Sequence, residues 1–166
     1  MNTAVEDCVA IQQLMYHYAS CADQKNYAGF KNVFCEDAVF DYSGKLVTPR
    51  SAIQEMMRAL EKYTLTQHQI HNTVYDVEGD TATGETYCLA SHLRESDSGL
   101  VKIDMGITYK DSLLRTPEGW RIQYRGFNLL WSQTAPVDQN QGILVPARVA
   151  REAPGAGKSP VDNPVR

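Results

Sequence analysis

The N-terminal part of the chain has the hydrophobic pattern of an amphipathic helix. Over residues 5–22, apolar side chains recur three and four positions apart and form one stripe: Cys8, Ile11, Leu14, Met15, Tyr18 and Ala22. The next residue, Asp23, would place a carboxylate at the carboxyl end of this helix, where the helix dipole opposes negative charge. The spacing predicts a core-facing helix, and the unfavourable position of Asp23 indicates that this side chain has another role.

Two shorter helices and a strand are predicted after the first helix. Residues 27–33 follow Asn26, a favourable N-cap, and predict a short helix. Residues 34–42 contain the apolar run of a strand that stops at a Ser-Gly pair. Residues 49–62 then predict a third helix, whose apolar face consists of Ile53, Met56, Met57 and Leu60.

Four strand patterns fill the second half of the domain. They cover residues 66–78, 81–94, 100–115 and 119–132. The short segments between them are rich in Gly, Asp, Ser and Pro, as hairpin turns require. Two or three helices followed by a four-strand meander predict an α+β fold, in which the helices pack on one face of a curved, mostly antiparallel sheet.

The composition changes after residue 133. Residues 134–166 hold five of the seven prolines and show little hydrophobic periodicity. We therefore predict one domain over residues 1–133 and an extended or disordered C-terminal tail over residues 134–166.

Composition and charge exclude several classes of function. The chain is 43% hydrophobic and 22% charged with a net charge of −4, and its basic residues are scattered, so we expect no nucleic-acid partner. No apolar run is long enough for a membrane span, and no secretory leader is evident. The four cysteines are widely separated, which favours buried thiols in a cytoplasmic protein over a disulfide framework or a metal site.

Asp23 and His68 are the candidate chemical pair. His68 opens a strand pattern in which it alternates on one face with Ile70, Asn72 and Val74. A carboxylate that fixes one tautomer of an imidazole produces a general base that works near neutral pH. A histidine at the start of a strand is more often structural, so the residues alone leave both interpretations open.

Several short motifs occur in a characteristic order along residues 8–128: Ala10-Ile11-Gln12-x-Leu14, Tyr18-x4-Asp23, Phe34-x2-Asp37-Ala38, His68-x3-Asn72, Gly79-Asp80-x-Ala82 and Gly119-Trp120-x-Ile122. In this order they resemble the SnoaL-like branch of the NTF2-like superfamily. The likeness is greatest to the group of scytalone dehydratase, γ-hexachlorocyclohexane dehydrochlorinase and bile-acid 7α-dehydratase. This resemblance implies a cone-shaped fold whose helices and curved sheet enclose one deep pocket.

The resemblance also implies roles for individual residues. It assigns Asp23 and His68 as a catalytic dyad, and Tyr18, five residues before the aspartate, as a third catalytic residue. An arginine in the last strand of these pockets corresponds to Arg125, with Arg121 as the neighbouring alternative. The predicted substrate-binding residues are Arg125, Tyr42, Asn72 and Ile107.

The function that the resemblance implies is that of a cofactor-independent lyase. Such a dehydratase would remove water from a hydrophobic, polycyclic hydroxy-ketone of the steroid or polyketide type. His68 would act as the general base, Asp23 would orient it, and no metal would be needed. An isomerase, a polyketide cyclase or a dehydrohalogenase with the same dyad is an alternative, as is a non-catalytic NTF2-like binding or structural subunit. We also expect a homodimer or homotrimer and no membrane partner.

Overall fold

A computed structural model describes residues 4–137 of the 166-residue chain. The elements in chain order are α1 (Ala4–Asp23), the 3-10 helix η1 (Tyr27–Asn32), β1 (Phe34–Tyr42), β2 (Lys45–Val47), α2 (Arg50–Met57), the 3-10 helix η2 (Arg58–Lys62), β3 (Leu65–Glu78), β4 (Thr81–Ser96), β5 (Gly99–Thr116) and β6 (Gly119–Pro136). The six strands form one open sheet in the order β2-β1-β6-β5-β4-β3. Only the β1–β6 pair is parallel among these described strands, so the predicted α+β fold with a mostly antiparallel sheet is confirmed.

The helices follow the apolar pattern closely, with two exceptions. The stripe of α1 is buried from Ile11 onward, whereas Cys8 is exposed, so the expectation of buried thiols was wrong for this cysteine. The Asn26 side chain caps η1 by accepting a hydrogen bond from the Gly29 N–H at 3.1 Å. The helix predicted over residues 49–62 is divided, because α2 ends at Met57 and the chain continues as the tighter η2. Strand β2 was not predicted, since three residues are too few to show alternation.

The predicted hairpin turns are confirmed by the backbone. Gly79, Gly99 and Gly119 each have a positive φ, between 61° and 108°, at the turns that join β3 to β4, β4 to β5 and β5 to β6. Strand β6 continues to Pro136, which pairs with Val101, so ordered structure passes residue 133, where we placed the end of the domain. The remainder of the predicted tail lies outside the described residues.

The first turn of α1 is tied to the hairpin between β5 and β6. Arg115 forms a bidentate ion pair with Asp7, and the Trp120 indole N–H donates to the same carboxylate at 3.1 Å. This anchor fixes the amino end of α1, and the apolar stripe then directs its carboxyl end, with Asp23, toward the start of β3.

A β-bulge interrupts strand β3 between Ile70 and Thr73. Before the bulge His68 and Ile70 are half-buried, and after it the half-buried positions begin at Thr73 instead of Asn72. The bulge therefore shifts the alternation by one residue.

None of the helices within residues 4–137 is long and apolar enough to cross a membrane. The cytoplasmic location stays a prediction.

Candidate active site

A cavity of about 360 Å³ lies between the helical segments α1, α2 and η2 and the sheet. Its wall is mainly apolar and aromatic, with major contributions from Phe40, Met57, Leu60, Met105, Ile107 and Phe127. The polar groups are few and include His68, His92, Tyr18 and Tyr109. An apolar pocket with a few convergent polar groups is typical of a site for a small organic molecule.

Asp23 and His68 are in direct contact at this cavity. The Asp23 Oδ1 lies 2.6 Å from the His68 Nδ1, and the two carboxylate oxygens also accept the His68 backbone N–H at 3.1 and 2.9 Å. The backbone contact explains how a carboxylate is accommodated at the carboxyl end of α1, because β3 supplies a donor that the helix end lacks. The carboxylate is thus fixed on both the main chain and the ring of one residue.

This arrangement determines which nitrogen of His68 is available. The carboxylate accepts the proton on Nδ1, so the basic lone pair of the neutral ring is on Nε2. The His68 side chain is only 5% exposed, lines the cavity, and makes no hydrogen bond through Nε2 to any residue in the described part of the chain. An oriented imidazole with a free Nε2 at an apolar cavity can accept a proton from a bound molecule.

Tyr18 lies beside the dyad in the same wall. Its ring is buried and makes an edge contact with the His68 ring, at a centroid distance of 6.4 Å. Burial raises the pKa of Tyr18, while a hydrogen bond from Tyr109 and the charge of Arg125 partly offset that rise. The phenol therefore stays protonated at neutral pH and can donate a hydrogen bond to a ligand.

Arg125 differs from the sequence prediction. It is fully buried and does not line the cavity, so it is not in position to contact a substrate there. Its Nε and Nη2 instead donate to the two oxygens of Asp111, at 2.8 and 2.7 Å, and the Tyr75 hydroxyl donates to the same carboxylate at 2.5 Å. The reason is the register of β5 and β6, which places Asp111 directly opposite Arg125.

The buried guanidinium lies against the two tyrosines of the site. The Arg125 Cζ is 4.2 Å from the ring centroid of Tyr18 and 4.3 Å from that of Tyr109, which are cation–π distances. Its Nη1 has no hydrogen-bond partner among the described residues. Arg125 therefore supports Tyr18 and Tyr109 from behind the cavity wall and holds a positive charge against their rings.

His92 is a second imidazole in the cavity wall, which the family resemblance indicated only as a loose candidate for a further pocket histidine. It is 4% exposed, its ring centroid lies 5.5 Å from that of His68, and its Nδ1 has no hydrogen-bond partner in residues 4–137. Burial lowers the pKa of His92 to about 4, and the nearby His68 adds to this effect. His92 is therefore neutral at pH 7 and keeps a buried nitrogen that has no partner among the described residues. Only its alternation with apolar residues on β4 could have indicated an inward position.

The other predicted substrate-binding residues divide into two groups. Ile107 and Tyr42 line the cavity, and Tyr42, at 46% exposure, stacks on Phe127 with a centroid distance of 4.8 Å. Asn72 is exposed and borders a separate depression on the outer face of the sheet, beside Trp131. Its placement in the pocket was wrong, because the bulge in β3 turns Asn72 away from the face of His68.

The described residues contain no group of three or more His, Cys, Asp or Glu side chains that could hold a metal ion.

Helices packed on a curved, mostly antiparallel sheet, with one cavity between them, define the NTF2-like class of α+β proteins. The chain belongs to the SnoaL-like family within this class, since the model of the SnoaL-like domain matches residues 3–126. The uncharacterized protein Rv2910c of Mycobacterium tuberculosis is 31% identical over 121 residues, which are 71% of this chain and 82% of that protein.

Two solved structures illustrate the shared fold. A provisionally named scytalone dehydratase from Novosphingobium aromaticivorans has a TM-score of 0.72 at 19% identity, covering 81% of this chain and 91% of that one. The hexachlorocyclohexane dehydrochlorinase LinA-type3 from Novosphingobium barchaimii has a TM-score of 0.70 at 14% identity, covering 81% of this chain and 93% of that one. At these identities the likeness shows the fold alone, and the fold agrees with the group that the motifs resemble.

Proposed function

We propose that the protein is a cofactor-independent lyase that removes water from a hydrophobic hydroxy-ketone. One observation carries this proposal: Asp23 holds Nδ1 of His68 at 2.6 Å, which leaves Nε2 as the free base of an apolar cavity. Neither a surface histidine nor a structural one requires this combination of a carboxylate partner, burial and an unoccupied nitrogen.

The proposed reaction is a β-elimination. His68 Nε2 takes a proton from a carbon that a neighbouring carbonyl makes acidic, and the electron pair of that C–H bond forms the new carbon–carbon double bond. The C–O bond to the leaving hydroxyl breaks, and the departing oxygen takes up a proton and leaves as water. Asp23 stabilises the imidazolium that forms on His68, and general acid–base assistance of this kind contributes about 10²–10⁴ in rate.

Tyr18 is the proposed hydrogen-bond donor to the developing oxyanion or to the leaving oxygen. Its buried phenol stays protonated, and the contact from Tyr109 leaves the Tyr18 proton free for the ligand. His92, which is neutral with an unsatisfied nitrogen, is a second polar contact for the substrate. These groups are largely buried in an apolar wall, where hydrogen bonds to developing charge are stronger than in water.

The substrate class follows from the size and polarity of the cavity. A volume of about 360 Å³ with mainly apolar walls suits a rigid hydrophobic skeleton better than a sugar or a free amino acid. A steroid or polyketide-like hydroxy-ketone presents both the acidic carbon and the leaving hydroxyl. The folds shared with a dehydratase and a dehydrochlorinase support elimination chemistry for this cavity.

The proposal is tested by incubating the purified protein with a panel of polycyclic β-hydroxy-ketones and following the absorbance of the new conjugated double bond. His68→Ala should abolish turnover. The matched control is His71→Ala, an exposed histidine on the same strand, which should retain it. Turnover that survives His68→Ala would refute the mechanism.

The same dyad would also serve an isomerase, a cyclase or a dehydrohalogenase, because each of these reactions begins with removal of a proton from carbon. Mass analysis of the product separates the eliminations from the reactions that keep the mass. Loss of one water supports the dehydratase and loss of hydrogen halide supports a dehydrohalogenase. An unchanged mass supports an isomerase or a cyclase, and the NMR spectrum of the product distinguishes these two by the presence of a new ring.

We further propose that the protein is a homo-oligomer. Leu129, Leu130 and Trp131 are 45%, 56% and 50% exposed on β6, and such an apolar run is unfavourable in water. Sedimentation of Leu130→Glu should show a smaller particle than the wild type. A wild-type protein that sediments as a monomer would refute this proposal.

A further inference from the structure

The charged residues of the cavity wall are all basic. Of the sixteen residues that line the cavity, two are lysines, two are histidines and none is acidic. Lys45 of β2 and Lys62 of η2 are exposed, whereas the side chain of His68, which lines the same cavity, is almost fully buried. The two lysines therefore lie at the mouth and the dyad lies inside.

The acidic residues near Lys62 are already engaged. Glu55 and Glu61 both form ion pairs with Arg58, at 3.1 and 3.0 Å. The Lys62 Nζ instead lies 5.0 Å from the ring centroid of Tyr63, another residue of the cavity wall. This ammonium group consequently has no carboxylate partner within the described residues, and it is held against the cavity by an aromatic ring.

The acidic residue close to Lys45 is also engaged. The Asp41 carboxylate accepts the Gly44 N–H at 2.7 Å and the Tyr124 hydroxyl at 2.9 Å. None of the ion pairs formed within the described range 4–137 involves Lys45. Both lysines are thus free to bind an anionic group brought by a ligand.

The charge of Lys62 also reaches the interior of the site. It is among the groups that hold the pKa of His92 below its ordinary value. A positive mouth above a cavity wall without carboxylates attracts anions and disfavours cations.

We propose that the substrate carries a carboxylate, or another anionic group, at the end remote from its reacting carbon, and that Lys45 and Lys62 bind this group at the mouth. The apolar body then fills the cavity and directs the reacting carbon to His68. The placement of the reacting carbon at His68 rests on the proposed function. The preference for an anionic ligand rests only on the two lysines at the mouth of the cavity. Each exposed lysine is expected to improve the affinity for an anionic ligand by about two- to fivefold.

A matched pair of fluorescent probes tests the preference without turnover. 1-Anilinonaphthalene-8-sulfonate carries an anionic group, and N-phenyl-1-naphthylamine has the same aromatic skeleton without it. The variants are Lys45→Gln, Lys62→Gln and the double variant. Lys110→Gln, an exposed lysine on β5 outside the cavity, is the control for loss of charge. Ala59→Trp, at an exposed position of the cavity wall, narrows the site without altering the core.

The double variant should bind the sulfonate about tenfold more weakly and the neutral probe with unchanged affinity. The difference should shrink as salt is added, because exposed charges are screened. Lys110→Gln should leave both affinities unchanged, and Ala59→Trp should weaken both probes.

An unchanged sulfonate affinity in the double variant, or an equal loss for both probes, would overturn the proposal. If Ala59→Trp does not weaken the binding of the probes, then the probes bind outside the cavity, and this result would also overturn the proposal. The proposed elimination is judged separately, by the turnover of His68→Ala, so the two can fail independently.

Discussion

Replacing Asp23 with Asn is the sharpest single test of the dyad. The substitution keeps the shape of the side chain and removes its charge. In the native protein the carboxylate accepts from both the ring and the backbone N–H of His68. An amide offers one oxygen and one NH₂ group, so either Nδ1–H or the backbone N–H would face a donor.

Two effects of different size are expected. The variant no longer stabilises an imidazolium and no longer fixes the Nδ1 proton, so kcat should fall by about 10³, within the range of general acid–base catalysis. KM should change little, because Asp23 lies behind His68 and is not part of the cavity wall. Loss of the charged acceptor should cost about 1–2 kcal/mol of unfolding free energy, since the Asp23 side chain is 24% exposed.

The assay measures kcat and KM on the best hydroxy-ketone and urea unfolding in the same buffer. Asp76→Asn, the same chemical change at an exposed position of β3, is the matched control. A kcat within about threefold of the wild type, in a folded variant, would refute the role of Asp23 as orienting group. A rise in KM with unchanged kcat would show that Asp23 binds the substrate instead.

Three further predictions concern the groups around the dyad. The buried His92 has a pKa of about 4, so below about pH 6.5 its imidazole is protonated in the unfolded chain before it is protonated in the folded one, and acid destabilises the fold. His92→Gln should therefore reduce the loss of unfolding free energy between about pH 7 and 5 by about 2 kcal/mol. An unchanged loss in urea titrations at the two pH values would contradict this. Arg125→Met leaves Asp111 buried without its counterion and should lower the unfolding free energy by about 3–5 kcal/mol. Adding Asp111→Leu to Arg125→Met should restore much of this stability in a double-mutant cycle, and additive losses would exclude the coupling. Tyr18→Phe should lower kcat by about 10²-fold and, because the buried Tyr109 hydroxyl loses its acceptor, should cost about 1–3 kcal/mol of unfolding free energy; full activity would exclude Tyr18 as donor.

The parts of the fold that sequence predicted well are those in which local pattern and tertiary packing agree. The stripe of α1 and the glycine turns of the meander need only periodicity and backbone freedom, and both are local properties. The cavity needs elements that are distant in sequence, and Asp23 meets His68 across 45 residues. The resemblance supplied that pairing, and the geometry agrees with it.

Strand irregularities determine where both misplaced residues lie: one brings Arg125 onto the core face beside Asp111, and the other turns Asn72 outward. Counting back from the turn between β5 and β6 would place Asp111 opposite Tyr124, but an irregularity between Ser112 and Leu113 shifts the register and places it opposite Arg125. The bulge in β3 likewise turns Asn72 outward. A bulge exchanges the faces of all later residues, and side-chain alternation in sequence does not reveal it.

The cost of the buried polar groups is itself an argument for function. Arg125 keeps an Nη1 without a partner, and His92 an unsatisfied Nδ1, among the described residues of the core. Each such group costs about 1–3 kcal/mol, and apolar side chains of similar size would give a more stable protein. Both lie against the residues that would do the chemistry, since Arg125 contacts Tyr18 and the His92 ring meets that of His68. Polar groups that are retained beside an oriented base at this cost support the proposal that the cavity serves chemistry and not packing alone.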